Sequence, residues 1–582
     1  MLIVLSHVGI RNIGFDAFER HFTPTFDGLD TYIIPYGLTL IGGALREAGH
    51  GVEYLDLRLV SGWEEVEARL REMKPGLLGV GFQTPNREFA VELARLAKSL
   101  GIPTVAGGPH VTCAPYDGLA IREFDHVVIG EGEEAMVDIA AAYEDGRTPP
   151  HEIHPEPLRD IENRPLPYLS ETYEAIARRK NCGFVVTSRG CPGRCKYCQP
   201  VQKALYGPRI KMRSAASILA EMDRYLAMGI RKFFIMDDMF VVNRNRVAEF
   251  AGSIKERGLD VEYDISARVD FFDQEMADHL ASTGCNLISF GFESGSDHKL
   301  KLMHKQTTRE MNLTAGRIWK KTGKLTLANI LVGIPGETDE DIAQDLSFIE
   351  ELGPSAFYYN WMVPFPGTHY FEELKAAGQL LTTDFDQYEM NIVRKMPLIK
   401  TVDYDRVRRW EKEFDRLRND SAQARFDHGL ALSRAGQDAE AEAEFRRAIK
   451  MDPDFPYPRY DLGVVLKRTG RRNEARAEFA KAAELNPTFP WPVFDLGLLH
   501  LEDGEAAEAL SWFERACELD PNFPFFHFRR GEALAALGRA GEARQAFERA
   551  LELKPGEERF LQGLEGLGQE GQTIPERTSS HV

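Results

Sequence analysis

Apolar runs alternate with helical periodicity over the first part of the chain. The runs are Leu2 to Leu5, Val52 to Leu55, Gly76 to Phe82, Pro103 to Ala106 and His126 to Ile129. Helical stretches lie between them at Leu38 to Ala48, Glu64 to Met73 and Glu88 to Leu100. Near-continuous apolar strands separated by helices predict a parallel sheet covered on both faces. This defines a Rossmann-like α/β domain at 1–148, followed by a proline-rich linker at 149–180. A second alternating series follows, with strands predicted at Phe184 to Thr187, Phe233 to Met236, Val261 to Ser266, Leu287 to Phe292, Thr326 to Ile334 and Phe357 to Val363. Six βα units in sequence predict a partial (β/α)6 barrel at 181–400, with its reactive centre at the carboxyl ends of the strands.

After a connecting helix at 401–420 the pattern becomes strictly repetitive. Gly429, Gly463, Gly497 and Gly531 are spaced by 34 residues, and so are Phe445, Phe479, Phe513 and Phe547. Alanines from Ala441 and Ala448, and prolines from Pro453, keep the same period. Four repeats at 421–567 predict an all-α solenoid, with a polar, disordered tail at 568–582.

Composition narrows the function. The chain has 43% hydrophobic and 28% charged residues and a net charge of −19, the profile of a globular multidomain protein. No Lys/Arg stripe appears, which argues against nucleic acid as a partner. No apolar run reaches a membrane span, and Met1 to Val8 lacks the flanks of a signal peptide, so a cytoplasmic protein is expected. Seven cysteines with three clustered read as metal ligation, and not as a disulfide framework.

The cluster is Cys191-Pro192-Gly193-Arg194-Cys195-Lys196-Tyr197-Cys198, directly after an apolar run and Gly190. A strand should deliver a tight loop in which three thiolates converge. A structural zinc site closes with four ligands and a ferredoxin-type cluster with four cysteines. A cubane held by three leaves one iron open to a substrate or cofactor; the alternative is a zinc loop completed by a histidine or Cys182. Further candidate chemistry stands at predicted strand ends: Asp237 and Asp238, Arg268, Glu293, and Gly333 in a Gly-Ile-Pro-Gly-Glu turn. In the first domain the strand ends carry Thr84, Gly107-Gly108 and Gly130-Glu131-Gly132, where glycines let backbone N–H groups approach a ligand.

The C-x₃-C-x₂-C spacing, with Tyr197 before the last cysteine, resembles the cluster loop of the radical S-adenosylmethionine (SAM) superfamily. The first domain is similar to the cobalamin-binding domain that precedes many such cores, through Tyr36-Gly37-Leu38, Thr84-Pro85-Asn86, Gly107-Gly108-Pro109-His110 and Gly130 to Glu133. It lacks the D-x-H-x-x-G motif that supplies a cobalt-ligating histidine in other cobalamin domains. The repeats resemble the tetratricopeptide repeat. The resemblance implies that Cys191, Cys195 and Cys198 hold a [4Fe–4S] cluster and that Asp237 and Asp238 lie near the SAM amine. It also implies that Arg268 meets the SAM carboxylate and that Glu293 accepts from ribose or orders Arg268. Thr84, Gly107, Gly108, Gly130, Glu131 and Gly132 would contact cobalamin. The implied activity is a cobalamin-dependent radical SAM enzyme that methylates an unactivated carbon. It would draw electrons from a reductant such as flavodoxin or ferredoxin and take a small or carrier-bound substrate, and its repeats would bind a protein partner. Oxidative ring formation, a methylthiotransferase-like activity and a non-catalytic interaction protein are the alternatives.

Overall fold

Six strands, all parallel, form the sheet of the first domain in the computed structural model: β1 (Leu2–His7), β2 (Gly51–Asp56), β3 (Leu77–Gly81), β4 (Thr104–Gly107), β5 (His126–Val128) and β6 (Glu152–Ile153). Their order is β2-β1-β3-β4-β5-β6, so the connection reverses between β1 and β3 and opens a crevice at the carboxyl ends. Ile3, Val4, Leu5, Leu77, Leu78, Val105, Ala106 and Val127 are all buried, as strands covered on both faces require. The structure describes residues 1–8, 34–198, 210–388, 396–419, 421–487, 489–521 and 523–567. The tail assigned to 568–582 lies outside the described residues.

The proline-rich stretch is more ordered than its composition predicts. Two of its residues form β6 by backbone pairing alone, which needs no apolar period. A helix spans Glu171–Lys180, with the Ser170 side chain accepting from Tyr173 N, and buries Tyr173, Ile176 and Ala177.

The second sheet also has six parallel strands: β7 (Cys182–Val185), β10 (Lys232–Ile235), β11 (Glu262–Ala267), β12 (Cys285–Glu293), β13 (Leu325–Val332) and β14 (Ala356–Trp361). Each lies beside its predecessor, in the order β14-β13-β12-β11-β10-β7. Between β7 and β10 a short antiparallel pair, β8 (Ser188–Arg189) with β9 (Lys211–Met212), closes the neck of the cysteine loop. Burial alternates along these strands. On β13, Thr326, Ala328, Ile330 and Val332 are buried, whereas Leu325, Leu327, Asn329 and Leu331 are half-buried. One face therefore packs under helices, and the other carries polar groups such as Ser289 and Asn329, joined by a 2.9 Å hydrogen bond. Tyr36 and Ala114 of the first domain share a core with the second sheet, and both belong to one compact unit, Met1–Arg418.

The second unit, Asn419–Val582, contains four helix pairs and a further helix, Glu558–Gly566, among the described residues. The period of the sequence has a direct steric cause. A Cβ on Gly429, Gly463, Gly497 or Gly531 would lie 2.5–2.6 Å from the Phe445, Phe479, Phe513 or Phe547 ring of the same repeat. The prolines Pro456, Pro490 and Pro524 stand at the first position of their helices, where a missing N–H costs nothing.

Candidate functional site

The cysteine loop is held from several sides. Lys196 N donates to Met303 O at 2.9 Å, and Tyr370 N donates to Lys196 O at 3.1 Å. Gly193 is closely packed: a Cβ there would lie 3.2 Å from Arg268 Nη1, 3.3 Å from Cys191 Sγ and 3.7 Å from Cys195 Sγ. Its N–H donates to Cys191 Sγ at 3.4 Å, and Arg268 Nη1 donates to Cys195 Sγ at 3.2 Å. Cys198 is exposed at the end of the described loop, yet desolvation by the surrounding chain, then the neighbouring Cys195 and Cys191 thiols, then Asp238 and Glu293 push its thiol up. The Cys191 thiol is likewise raised, first by burial, against the Gly193 N–H and Arg268.

The three thiols thus crowd one neighbourhood. They do not close on a point as the sequence suggested: among the described residues no three His, Cys, Asp or Glu side chains are placed to hold a single metal ion. Three cysteines that repel one another once ionised, beside two carboxylates, form a donor set that fits a multinuclear cationic centre, whose cysteines ligate different irons.

Several expected contacts are arranged differently. The Asp237 carboxylate accepts from Thr187 N at 2.5 Å, Ser188 N at 3.0 Å and Ser188 Oγ at 2.5 Å, and also from Thr187 Oγ1. It ties the end of β10 to the start of β8, so these hydrogen bonds are all made within the chain. Asp238 is the exposed member of the pair, and its charge reaches Cys191 and Cys198. Arg268 does meet a carboxylate bidentately, but the carboxylate is that of Asp270, at 3.0 and 2.9 Å; Lys305 O takes a further hydrogen bond at 2.9 Å. Its role here is to brace Cys195. Gly333 has φ of +75° and donates to Glu337 Oε2 at 2.9 Å. Glu337 in turn pairs with the fully buried Lys299, so this turn belongs to a structural ion network.

Glu293 ends β12 in a left-handed conformation, φ +67°, unusual for a residue with a side chain. Its Oε1 lies 3.3 Å from Lys305 Nζ, which also donates to Tyr197 OH at 3.2 Å. Lys305 is buried, and its neighbours His304 and Gln306 also have positive φ. Sequence reasoning missed Lys305, because a lone lysine in a polar stretch carries no periodic or spacing signal. Glu293, Lys305 and Tyr197 form a polar wall beside the cysteines.

At the crevice of the first sheet, Gly107 faces open space, with no atom within 4 Å of the place a Cβ would take. Gly108, φ +94°, packs against the Phe82 backbone, where a Cβ would lie 3.0 Å from its nitrogen. Gly130 and Gly132 are close-packing positions against Pro155 and Ile41. Thr84 Oγ1 is hydrogen-bonded to His110 Nδ1 at 3.0 Å, and His110 Nε2 to Asp117 Oδ2 at 2.9 Å. Both nitrogens of His110 are therefore taken, and it offers no ligand to a metal. Glu131 does not face the crevice freely either: it accepts from Arg189 Nη1 at 2.6 Å, Lys211 Nζ at 3.0 Å and Leu158 N at 2.7 Å. A side-chain-free strand end at Gly107 fits a large flat cofactor held by shape and backbone contact.

This geometry is that of a two-cofactor protein, with an α/β crevice and a three-cysteine loop in one unit. Residues 185–349 match the radical SAM superfamily, residues 27–140 the B12 binding domain, and residues 426–490, 460–524 and 494–558 the tetratricopeptide repeat. The chain carries a radical SAM domain preceded by a B12-binding domain and followed by tetratricopeptide repeats. It is 28% identical over 385 residues to an uncharacterised methyltransferase of Pyrococcus horikoshii, covering 61% of this chain and 81% of that one. It is 25% identical to the anaerobic magnesium-protoporphyrin IX monomethyl ester cyclase of Cereibacter sphaeroides, covering 61% of this chain and 62% of the cyclase. In fold it is similar to the cobalamin-dependent SAM radical enzyme OxsB, solved with aqua-cobalamin and SAM bound. That match has a TM-score of 0.60 at 15% identity and covers 89% of this chain and 84% of the other. No helix among the described residues is long and apolar enough to cross a membrane.

Proposed function

We propose that the protein is a cobalamin-dependent radical SAM methyltransferase acting on an unactivated carbon. The observation that carries this reading is the joining, in one compact unit, of the three-cysteine loop and a B12-binding domain whose strand end at Gly107 is open and whose His110 has both ring nitrogens hydrogen-bonded within the chain. The methyltransferase from Pyrococcus horikoshii supports methyl transfer over other radical outcomes.

Cys191, Cys195 and Cys198 would hold the [4Fe–4S] cluster, and the Gly107 strand end would receive cobalamin. When bound, the cluster supplies one electron for cleavage of SAM to methionine and a 5′-deoxyadenosyl radical, and cobalamin carries the methyl group. The chain's own residues hold and orient. Arg268, clamped by Asp270, fixes the Cys195 sulfur. Lys305, a buried cation, is the group suited to the SAM carboxylate, with Glu293 and Asp238 as acceptors for its amine or ribose hydroxyls. Asp237 keeps the entry to the loop in register through Thr187 and Ser188.

The repeats bind a protein partner or a carrier-bound substrate, and a small electron-transfer protein supplies the reductant. The site is reached from a reducing cytoplasm. The test is anaerobic purification with iron, sulfide and cobalt analysis, followed by product analysis with SAM and a reductant. Both 5′-deoxyadenosine and S-adenosylhomocysteine are expected. 5′-Deoxyadenosine without S-adenosylhomocysteine would instead indicate ring formation or another radical outcome, as the cyclase relative suggests.

A further inference from the structure

The neck of the cysteine loop has an electrostatic problem that the first domain solves. In the β8–β9 pair, Arg189 stands directly opposite Lys211, and like charges in that position repel. Both side chains are largely removed from water, so solvent does little to screen them. Arg189 lies two positions before Cys191, and Lys211 closes the far side of the loop.

Glu131 bridges both cations at once, and Glu133 supplies the second negative charge. Its Oε1 accepts from Arg189 Nη1 at 2.6 Å and its Oε2 from Lys211 Nζ at 3.0 Å. The second arm of the Arg189 guanidinium donates to Glu133 Oε1 at 2.6 Å. Glu131 is itself fixed by the Leu158 N–H at 2.7 Å. The network joins Arg189 and Lys211 to two carboxylates, Glu131 from the turn that follows β5 and Glu133 from the first turn of the helix Gly132–Glu144 of the B12-binding domain. Each carboxylate is more than 50 residues from Arg189 in sequence, so no local pattern pairs them.

We infer that Glu131 is a positioning residue for the cluster loop: by bridging Arg189 and Lys211 it holds the loop neck shut, so the B12-binding domain is needed for a stable cluster in the radical SAM core. The inference rests on the assignment of Cys191, Cys195 and Cys198 as cluster ligands. The geometry of the neck itself does not depend on that assignment. The bridge also assigns the Gly130-Glu131-Gly132 turn a mechanical task at the junction between the two cofactor domains.

The experiment uses the full chain reconstituted anaerobically with iron and sulfide, and the iron-free chain in parallel. It compares wild type, Glu131→Gln and Glu131→Gln/Lys211→Met. The readouts are the rate of iron loss to a chelator, amide exchange at Arg189 and Met212 in iron-free protein, and retention of hydroxocobalamin. Glu131→Gln should lose iron about tenfold faster or more, and its neck amides should exchange faster, because a buried pair has lost its counter-charge. Adding Lys211→Met removes one of the two like charges and should restore both readouts toward wild type. A double variant as labile as the single one overturns the inference. So does a Glu131→Gln protein that loses cobalamin while its iron and neck are unchanged, since Glu131 would then serve that cofactor directly. If wild type holds no iron, the cluster assignment has failed, and amide exchange alone decides the role of Glu131. If Glu131→Gln does not fold, Glu133→Gln strips only the second arm of Arg189 and should show a smaller acceleration; no change there also overturns the inference.

Discussion

Arg268 donates from Nη1 to the Cys195 sulfur at 3.2 Å while Asp270 grips the opposite edge of the same guanidinium at 2.9 and 3.0 Å. The arginine is buried, so its charge acts on the thiol with little screening. Arg268→Gln should keep the fold but weaken the cluster, and iron per chain after desalting should fall several-fold. Arg268→Lys should not restore it, because an ammonium cannot span Asp270 and Cys195 with the planar fork.

The ligand assignment makes a sharper statement about cysteines. Replacing Cys191, Cys195 and Cys198 with alanine should abolish iron binding and SAM cleavage. Cys182 and Cys285 are buried in the sheet and Cys517 in the repeats, and these, with Cys113, should be dispensable. Zinc in place of iron in anaerobically purified protein would sink the assignment.

Lys305 separates SAM binding from cluster binding. Its ammonium lies between Glu293 and Tyr197, beside the loop but not bonded to a cysteine. Lys305→Met should weaken SAM binding by about tenfold to a hundredfold, the cost of one charge-assisted contact, with iron content unchanged. Equilibrium dialysis against labelled SAM measures it. Unchanged affinity would move the SAM carboxylate elsewhere.

Asp264 gives the protein a pH signature. Burial, and secondarily Glu262, raises its carboxyl to about 7, and its Oδ1 has no hydrogen-bond partner. An acid harder to ionise folded than unfolded holds an extra proton in the native state. Stability therefore falls as pH rises from near 4 towards 7, and the loss is complete above that. Asp264→Asn should raise the unfolding midpoint at pH 8 and leave it little changed at pH 4, as read by thermal scans at both values.

The repeat unit should be separable. A chain ending at Asn419 should retain iron and cleave SAM slowly, since the contacts that hold the cysteine loop come from residues before 401. Within the repeats, Gly497→Ala would place a methyl 2.6 Å from the Phe513 ring. Overpacking of this kind costs about 1–3 kcal/mol, visible as a lower helical melting midpoint. Loss of iron on truncation would make the repeats structural to the barrel.

Local chemistry made much of this protein legible in its sequence. Apolar runs with intervening helical periods make both parallel sheets legible, the first because its central strands are buried on both faces and the second because six strand–helix units recur in order. The repeat period follows from a contact between Gly463 and Phe479 inside a single hairpin of helices, so it is visible as spacing. The three cysteines are eight residues from first to last, and their loop is likewise a local fact. What tertiary structure alone decided is which polar groups remain available for chemistry. Asp237 and Asp238 are adjacent in sequence, yet one is consumed by Thr187 and Ser188 and the other is exposed. Arg268 has the right charge for a carboxylate and finds it in Asp270. Glu131 sits in a glycine turn that looks made for a ligand, and its charge is instead spent on Arg189 and Lys211 from another domain. The reason is physical: a hydrogen-bonding group has few valences, and whether they are filled depends on partners that folding brings from far along the chain.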